Sequence, residues 1–489
     1  MIKNFNWRMV LRMLGILLLV EAFFMLTATA VSFYYHEDDF RALLESSIIT
    51  AIIGGAWILL GDKTGKQIDS RAGYLLVSFV WIVFSFFGML PFVLSKYIPS
   101  ITNAFFETMS GFTTTGASIL NYIESLPHGL LFWRSLTQWL GGMGIMVLSL
   151  AILPLFGAGM QIYSAEAPGP THDKLRPRIA DTARRLWIIY LILTIIIGVL
   201  LFLFGMTPFD AVCHSLTTLS SGGYSTKQAS IGYWSSPLIH YTIIIGMIIA
   251  GINFSLIYTS FSQKSIKKFF KDEELRVYLI AIAVFAAIIG IGLCVYRHST
   301  NLASIESNFR SSLFHVVSIM TTTGFATEDY LLWPSVLWFL ITLLLCTGAS
   351  AGSTSGGIKL IRLHIIAKNI FYEFKRIMHP KAIMPVRINR RIVHDNIVAN
   401  IYAFISIYII IALLSIIIFS LFGLPLDEAI GVSLTALDNA GPGLGAQGPA
   451  GNFYMLPAAA KWYMSFLMLL GRLELFTILL LFSPSFWKR

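Results

Sequence analysis

The hydrophobic positions of this chain come in long blocks, without the polar face that a water-exposed helix would show. Such blocks occupy residues 11–31, 74–94, 186–204, 241–258, 277–295 and 401–421. Each reaches the roughly 20 residues a helix needs to cross about 30 Å of hydrocarbon. The first block is followed, after a short acidic stretch at 36–39, by another at 43–60, and the two predict a hairpin. Beyond it one pattern recurs four times: an apolar span, a short stretch returning with Thr, Ser and Gly, and a second apolar span. The inserts are too short to cross a bilayer again and too apolar to be ordinary loops, which is the signature of re-entrant segments.

The inserts compare well when aligned on one glycine. Thr113, Thr114 and Thr115 precede Gly116, and Thr321, Thr322 and Thr323 precede Gly324. Ser110 and Ser318 each stand six residues before those glycines. The second insert ends Ser220-Ser221-Gly222 and the fourth Asp438-Asn439-Ala440-Gly441. The glycines are 106, 102 and 117 residues apart, a near-constant period that marks an internal repeat. The predicted fold is an all-α polytopic membrane protein. An N-terminal two-helix hairpin (1–70) precedes four pseudo-symmetric helix–pore loop–helix units around a central ion pore, at 71–162, 163–262, 263–392 and 393–489. The second unit opens with a cytoplasmic loop, and the third carries an intramembrane gating loop and a cytoplasmic segment.

These residue types suit a bare monovalent cation. Four extended segments around one axis can offer rings of backbone carbonyls in place of a hydration shell. Glycine permits positive φ and close approach of chains. The short helix before each turn would direct its C-terminal end, equivalent to about half a negative charge, at the ion. The candidate ligands are Thr113, Thr114, Thr115 and Gly116; Ser220, Ser221 and Gly222; Thr322, Thr323 and Gly324; and Asn439, Ala440 and Gly441. In this alignment Leu219 stands where the first and third turns have Thr, and the fourth has Asp438 and Asn439. Equal ligation by all four is therefore not expected.

Composition agrees with a membrane protein and limits the function. Hydrophobic residues make up 56% and charged residues 12%, about half the charged share of soluble proteins. The net charge of +10 is not a nucleic-acid signature. Most of the 35 Lys and Arg residues fall in short segments at 3–12, 63–71, 174–185, 264–276, 359–391 and 488–489. If every second span end is cytoplasmic, all six lie inside, as the positive-inside bias requires; both termini are then cytoplasmic and residues 36–39 outside. The first apolar run resembles a signal peptide, but its length and Glu21 favour an uncleaved helix. Cys213, Cys294 and Cys346 have no metal-ligand spacing. Asp62-Lys-Thr-Gly65 matches the phosphorylated aspartate of P-type ATPases, yet no large cytoplasmic domain and no phosphate loop accompany it, so no enzyme is expected. Four parallel repeats also argue against a transporter built from two inverted halves.

Two further features concern control. Gly348, Ala349, Ser350, Ala351, Gly352, Ser353, Thr354, Ser355, Gly356 and Gly357 interrupt what should be the second span of the third unit. Irregular backbone at membrane depth is tolerated only where it lines a cavity or packs in protein. The run is either a gate beneath the turns or a kinked helix. Arg472, inside the last apolar span, needs a partner there; carbonyls of the 348–357 run and the nearby Glu474 are the alternatives. Glu107 and Arg134 are expected to pair near the outer mouth.

The four turns, the stretch from Trp133 to Gly144, the run from Gly348 to Leu360 and the segment Gly471-Arg-Leu-Glu-Leu-Phe476 together resemble the Trk/Ktr/HKT superfamily of potassium transporters. The extra hairpin, the length and the segment from Glu166 to Arg185 favour its Trk-type membrane subunit. The resemblance implies K+ uptake without a cofactor, across a bacterial-type inner membrane and in contact with its lipid. It implies a homodimer with one pore per protomer, and regulation by a cytosolic nucleotide-binding ring of TrkA type. It also implies that Arg472 touches the gating run. In the superfamily, Ser in place of the first turn's glycine goes with Na+ permeation, so Gly116 favours K+. The alternative is the channel-like K+-translocating subunit of a K+-pumping ATPase complex, against which the 348–357 run and the Gly471–Phe476 segment speak.

Overall fold

The computed structural model describes residues 7–61, 70–152, 175–262, 266–382 and 384–487. The Asp62–Gly65 motif, the start of the 166–185 segment and the terminal basic residues Lys3, Lys488 and Arg489 lie outside them. Six described helices are long and apolar enough to cross a membrane, or up to eight if each of two bent pairs counts as one span. The protein is all-α and polytopic, as the block pattern predicts.

The hairpin is α1 (Trp7–Tyr35) and α2 (Phe40–Leu60). Its helices cross backbone to backbone at Gly15 and Gly54, where a Cβ on Gly54 would sit 2.9 Å from the Gly15 carbonyl oxygen. Small residues at a crossing are how membrane helices gain packing contact, lipid offering no hydrophobic incentive. The connection of the hairpin caps a later helix: Asp39 accepts from Leu130 N at 2.9 Å and Glu37 from His128 N at 2.6 Å. Both carboxylates thus meet the positive end of α6, the helix that begins at His128.

Four units follow. The first is α3 (Ser70–Gly88), the short α4 (Leu90–Leu94), α5 (Ile101–Phe112) and α6 (His128–Ile152). The second is α7 (Leu175–Leu203), α8 (Pro208–Leu219), α9 (Pro237–Ala250) and α10 (Phe254–Ser262). The third holds α11 (Ile266–Lys271), α12 (Glu273–Tyr296), α13 (Leu302–Met320), α14 (Ser335–Leu345) and α15 (Leu360–Met378), with a small antiparallel hairpin, β1 (Arg387–Ile388) and β2 (Arg391–Ile392). The fourth is α16 (Asp395–Leu421), α17 (Leu426–Asp438), α18 (Ala458–Arg472), α19 (Phe476–Leu479) and the short α20 (Pro484–Trp487).

Helices α5, α8 and α17 are 12 or 13 residues long, too short to span. Local signals start them. Thr207 caps α8, its hydroxyl accepting from Asp210 N, and Pro208 occupies the first turn, where no backbone donor is missed. Helix α13 runs longer, at 19 residues, because a polar first half precedes the buried stretch from Phe314 to Met320.

The block at 241–258 is not the straight span that its hydropathy suggests. It breaks between α9 and α10, which meet at 91°. Asn253 explains the bend, since its side-chain oxygen accepts from Ser255 N at 2.9 Å and starts a new helix. The last span is likewise broken, α18 meeting the following turn at 108°, with Glu474 and Leu475 both left-handed at the break.

Candidate functional site

The C-terminal ends of α5, α8, α13 and α17 repeat one backbone motif. At each, a residue that is not glycine turns left-handed: Thr114, Ser221, Thr322 and Asn439, with φ of 53°, 55°, 56° and 53°. The next residue donates its N–H to the carbonyl five positions back: Thr115 to Ser110 (2.8 Å), Gly222 to Thr217 (3.0 Å), Thr323 to Ser318 (2.8 Å) and Ala440 to Thr435 (3.1 Å). This is a Schellman closure built without its usual glycine. A left-handed residue with a side chain costs about 1–2 kcal/mol. Four copies of one strained turn mark a place where geometry matters beyond stability.

The closures correct the alignment of the second turn. Gly223, not Gly222, is its left-handed glycine (φ 77°), matching Gly116 (83°) and Gly324 (82°). Ser220 therefore stands where Thr113 and Thr321 do, and Leu219 is the last helical residue. Of the two glycines in Ser-Ser-Gly-Gly, only the backbone closure distinguishes the one that turns. Gly441 departs from the other three, having no positive φ.

The four turns meet. A Cβ on Gly116 would collide with the carbonyl oxygen of Gly222, and one on Gly223 with that of Thr323. A Cβ on Gly324 would lie 2.8 Å from Gly441 N, and one on Gly441 would lie 3.5 Å from the carbonyl oxygens of both Thr115 and Gly116. The first turn thus touches the second and fourth, and the third touches its neighbours on either side. Sequence-predicted residues from all four inserts come together in this ring of backbone.

Side chains behind the ring hold it. Arg134 donates through Nε to Glu107 at 2.7 Å, both side chains being buried (3% and 0% exposed). The expected pair is present, and it does more than neutralise. Glu107 also accepts from Ile119 N and Ser118, and Arg134 reaches the Ser225 carbonyl at 3.0 Å and lies 3.4 Å from the centre of the Tyr224 ring. Gln138 bridges the second turn, donating to Gly222 O (2.7 Å) and accepting from Tyr224 N (3.0 Å). Gln138 and Tyr224 escaped the sequence reading, although an amide inside an apolar span was a signal. Past the third turn, Glu328 accepts from Arg297 (2.9 Å) and from Ser311. Partial burial pushes its carboxyl up, but the Ser311 and Arg297 hydrogen bonds outweigh this and hold it below the usual range.

Between α14 and α15 the chain is irregular and lies against the ring. Thr354 bonds to Ser221 of the second turn (2.7 Å), Gly356 N donates to Thr322 of the third (2.8 Å), and a Cβ on Gly356 would strike Asp438 O of the fourth. The break in α9/α10 seats the loop: Ser350 N donates to Gly251 O (3.0 Å) and Phe254 N to Gly352 O (3.2 Å). The kinked-helix alternative fails, because residues 348–357 bond to other elements instead of continuing a helix. Arg472, 3% exposed, donates to Thr354 O at 3.0 Å and to Gly141 O at 3.3 Å. Glu474 is not its partner; Glu474 pairs with Arg362 at 2.6 Å.

Such an arrangement presents carbonyl and hydroxyl oxygen, fixed at membrane depth, with a loop against it. It defines an integral membrane protein of broken helices organised around a backbone-lined site. The chain belongs to the TrkH family of cation transport proteins, whose profile matches residues 41–489. It is 38% identical to the Trk system potassium uptake protein TrkH of Escherichia coli K12 across 99% of this chain and all of that protein. It is 34% identical to the Trk system potassium uptake protein TrkI of Halomonas elongata, over 99% of this chain and 98% of that one. The crystal structure of the potassium transporter TrkH from Vibrio parahaemolyticus superposes with a TM-score of 0.90 at 34% identity, covering 99% and 100% of the two chains.

Proposed function

We propose that this protein takes up K+ through a pore whose selectivity filter is the ring formed by the four turns. The observation that carries the reading is the mutual approach of Gly116, Gly222, Gly223, Gly324 and Gly441, with the carbonyl oxygens of Thr115, Gly116, Gly222 and Thr323 at the contacts between the turns. Carbonyl oxygens can replace the hydration shell of K+ at little cost. The left-handed residues aim them, and the helix ends of α5, α8, α13 and α17 add partial negative charge. Turn hydroxyls, among them those of Thr113, Thr115, Ser221, Thr321, Thr322 and Thr323, bond within the turns or to the loop and brace them.

The loop at 348–357 acts as the gate in this reading, with Arg472 holding it shut and repelling cations on the path. About 2.3 kcal/mol per charge per 100 mV of membrane potential draws K+ inward, and no covalent chemistry is required. The pore units correspond to residues 71–162, 163–262, 263–392 and 393–489 after the hairpin at 1–70. The relatives are named as proteins of a Trk system, which supports a partner within such a system; in this reading that partner is a cytosolic nucleotide-binding ring of TrkA type, and the protein is a homodimer in a bacterial-type inner membrane. The charge bias supports cytoplasmic termini. The test is Rb+ uptake into liposomes holding the purified protein, with Na+ and Li+ as competitors. Absence of uptake, or equal competition by Na+, would overturn the reading.

A further inference from the structure

Asp438 has no place in the scheme above. It is the last residue of α17 and is fully buried. At the matching position the other turns carry hydroxyls, on Thr113, Ser220 and Thr321. Thr113 and Thr321 are satisfied locally, each bonding to a carbonyl four residues back and, at 2.8 Å, to the second Thr after it. Asp438 has one hydrogen bond, accepted by Oδ2 from the Tyr408 hydroxyl of α16 at 2.6 Å. Its other oxygen, Oδ1, is buried without a partner. Among the described residues no Lys, Arg or His pairs with it.

This carboxylate is incomplete as it stands. A charge at membrane depth is expensive without a counter-charge. Asp438 also sits at the C-terminal end of a helix, where the backbone already places about half a negative charge. A hydroxyl suffices for the turn, as the other three show. The position of Oδ1 indicates where the missing cation belongs. It faces the loop, 3.3 Å from the place a Cβ of Gly357 would take, and Gly357 is itself left-handed (φ 68°). The unpartnered oxygen therefore lies between the fourth turn and the gate.

We propose that Asp438 supplies the counter-charge of a cation site on the loop side of the fourth turn, separate from the carbonyl ring and covered by the loop when the loop is held by Arg472. Its ligand is an alkali cation of K+ size, leaving or entering the ring and still partly hydrated. A full carboxylate charge makes the site bind a divalent cation of similar radius more tightly, so Ba2+ is the probe. The proposal rests on the pore reading, and the fourth turn becomes the unit that gives the otherwise similar ring its electrostatic asymmetry.

The experiment is Rb+ influx into liposomes carrying the full-length protein, measured for half-saturation and for half-block by Ba2+. Asp438→Asn keeps the size and the Tyr408 hydrogen bond while removing the charge. It should raise the half-blocking Ba2+ concentration about tenfold, a modest share of the attraction of a unit charge a few ångströms away, and raise the Rb+ half-saturation in the same direction. Asp438→Thr, the residue of turns one and three, should do the same and guards against misfolding of the amide variant. Tyr408→Phe keeps the carboxyl group and should leave Ba2+ block within about twofold of the parent. Unchanged Ba2+ block in both Asp438 variants would overturn the site. So would an equal loss of block in Tyr408→Phe, which would make Asp438 a tether for α16. If Rb+ influx were insensitive to Gly116→Ser and Gly324→Ser as well, the pore reading itself would fall; sensitivity there with a silent Asp438 would sink the site alone.

Discussion

Arg472→Ala separates a gate from a loop that is only structural. The side chain makes one bond to the loop, Nη1 to Thr354 O at 3.0 Å. Its second bond, to Gly141 O at 3.3 Å, holds α6 and does not distinguish loop positions. A hydrogen bond to a charged group contributes about 1.5–3 kcal/mol net. If that bond exists only with the loop seated, its loss shifts the closed-to-open ratio by roughly 10- to 150-fold. The remaining anchors, among them those to Ser221, Gly251, Phe254 and Thr322, oppose complete release, so the lower end of that range is the expected one. Removing a positive charge from beside the path also lowers the barrier to K+, in the same direction. Rb+ influx into liposomes, normalised to folded protein, should therefore rise about tenfold or more. Arg472→Lys should fall between, because it keeps the charge but loses the planar fork that reaches both carbonyls. Flux that stays at or below the parent value in well-folded Arg472→Ala protein would refute the gating argument and leave Arg472 a structural brace.

Four further outcomes follow from the geometry. Gly116→Ser should raise Na+ entry relative to K+, since any Cβ there meets the Gly222 carbonyl, and Gly324→Ser should lower K+ flux; Rb+ competition by Na+ reads both, and parent-like discrimination in both would make these glycines packing residues. Gly223→Ala should damage selectivity more than Gly222→Ala, because the Gly223 Cβ would meet the backbone carbonyl of Thr323 at positive φ while the Gly222 Cβ would meet the side chain of Gln138; the reverse order in the same assay would restore the alignment on Gly222. Glu107→Gln should cost about 3–5 kcal/mol by stranding the buried Arg134, seen as a large drop in thermal stability in detergent, and an unchanged melting point would discount the brace behind the first turn. Glu328, whose pKa is depressed by Arg297 and Ser311, stabilises the fold above the ordinary carboxylate pKa and loses this as pH falls through its lower folded value. Melting curves of the parent and Glu328→Gln should therefore differ near neutrality and converge in acid, and a constant gap down to acid pH would contradict this.

Much of this architecture is readable from one dimension, and the reason differs from part to part. Block length and scarcity of charge are local properties tied to bilayer thickness, so the membrane class and the hairpin follow from them directly. The four inserts are legible because each must solve the same local problem, closing a helix end with a left-handed residue and a glycine. Arg472 and the 348–357 run are legible as violations, a charge and a non-helical stretch where apolar helix is expected. Other features depend on groups far apart in the chain. Gly223, and not Gly222, turns where the second insert meets the Thr323 carbonyl of the third, 100 residues on. The break at Gly251 to Asn253 looks in hydropathy like continuous span, because bending leaves composition untouched. Arg472 finds Thr354, 118 residues away, and Glu474, two residues from Arg472, finds Arg362 instead. A buried charge takes the partner that packing brings within reach. Sequence thus determined that this chain crosses a membrane, repeats four turns and carries an unusual loop and charge. Only tertiary structure decided that the four turns touch one another, that the loop sits against them, and that the Asp438 oxygen faces it without a partner.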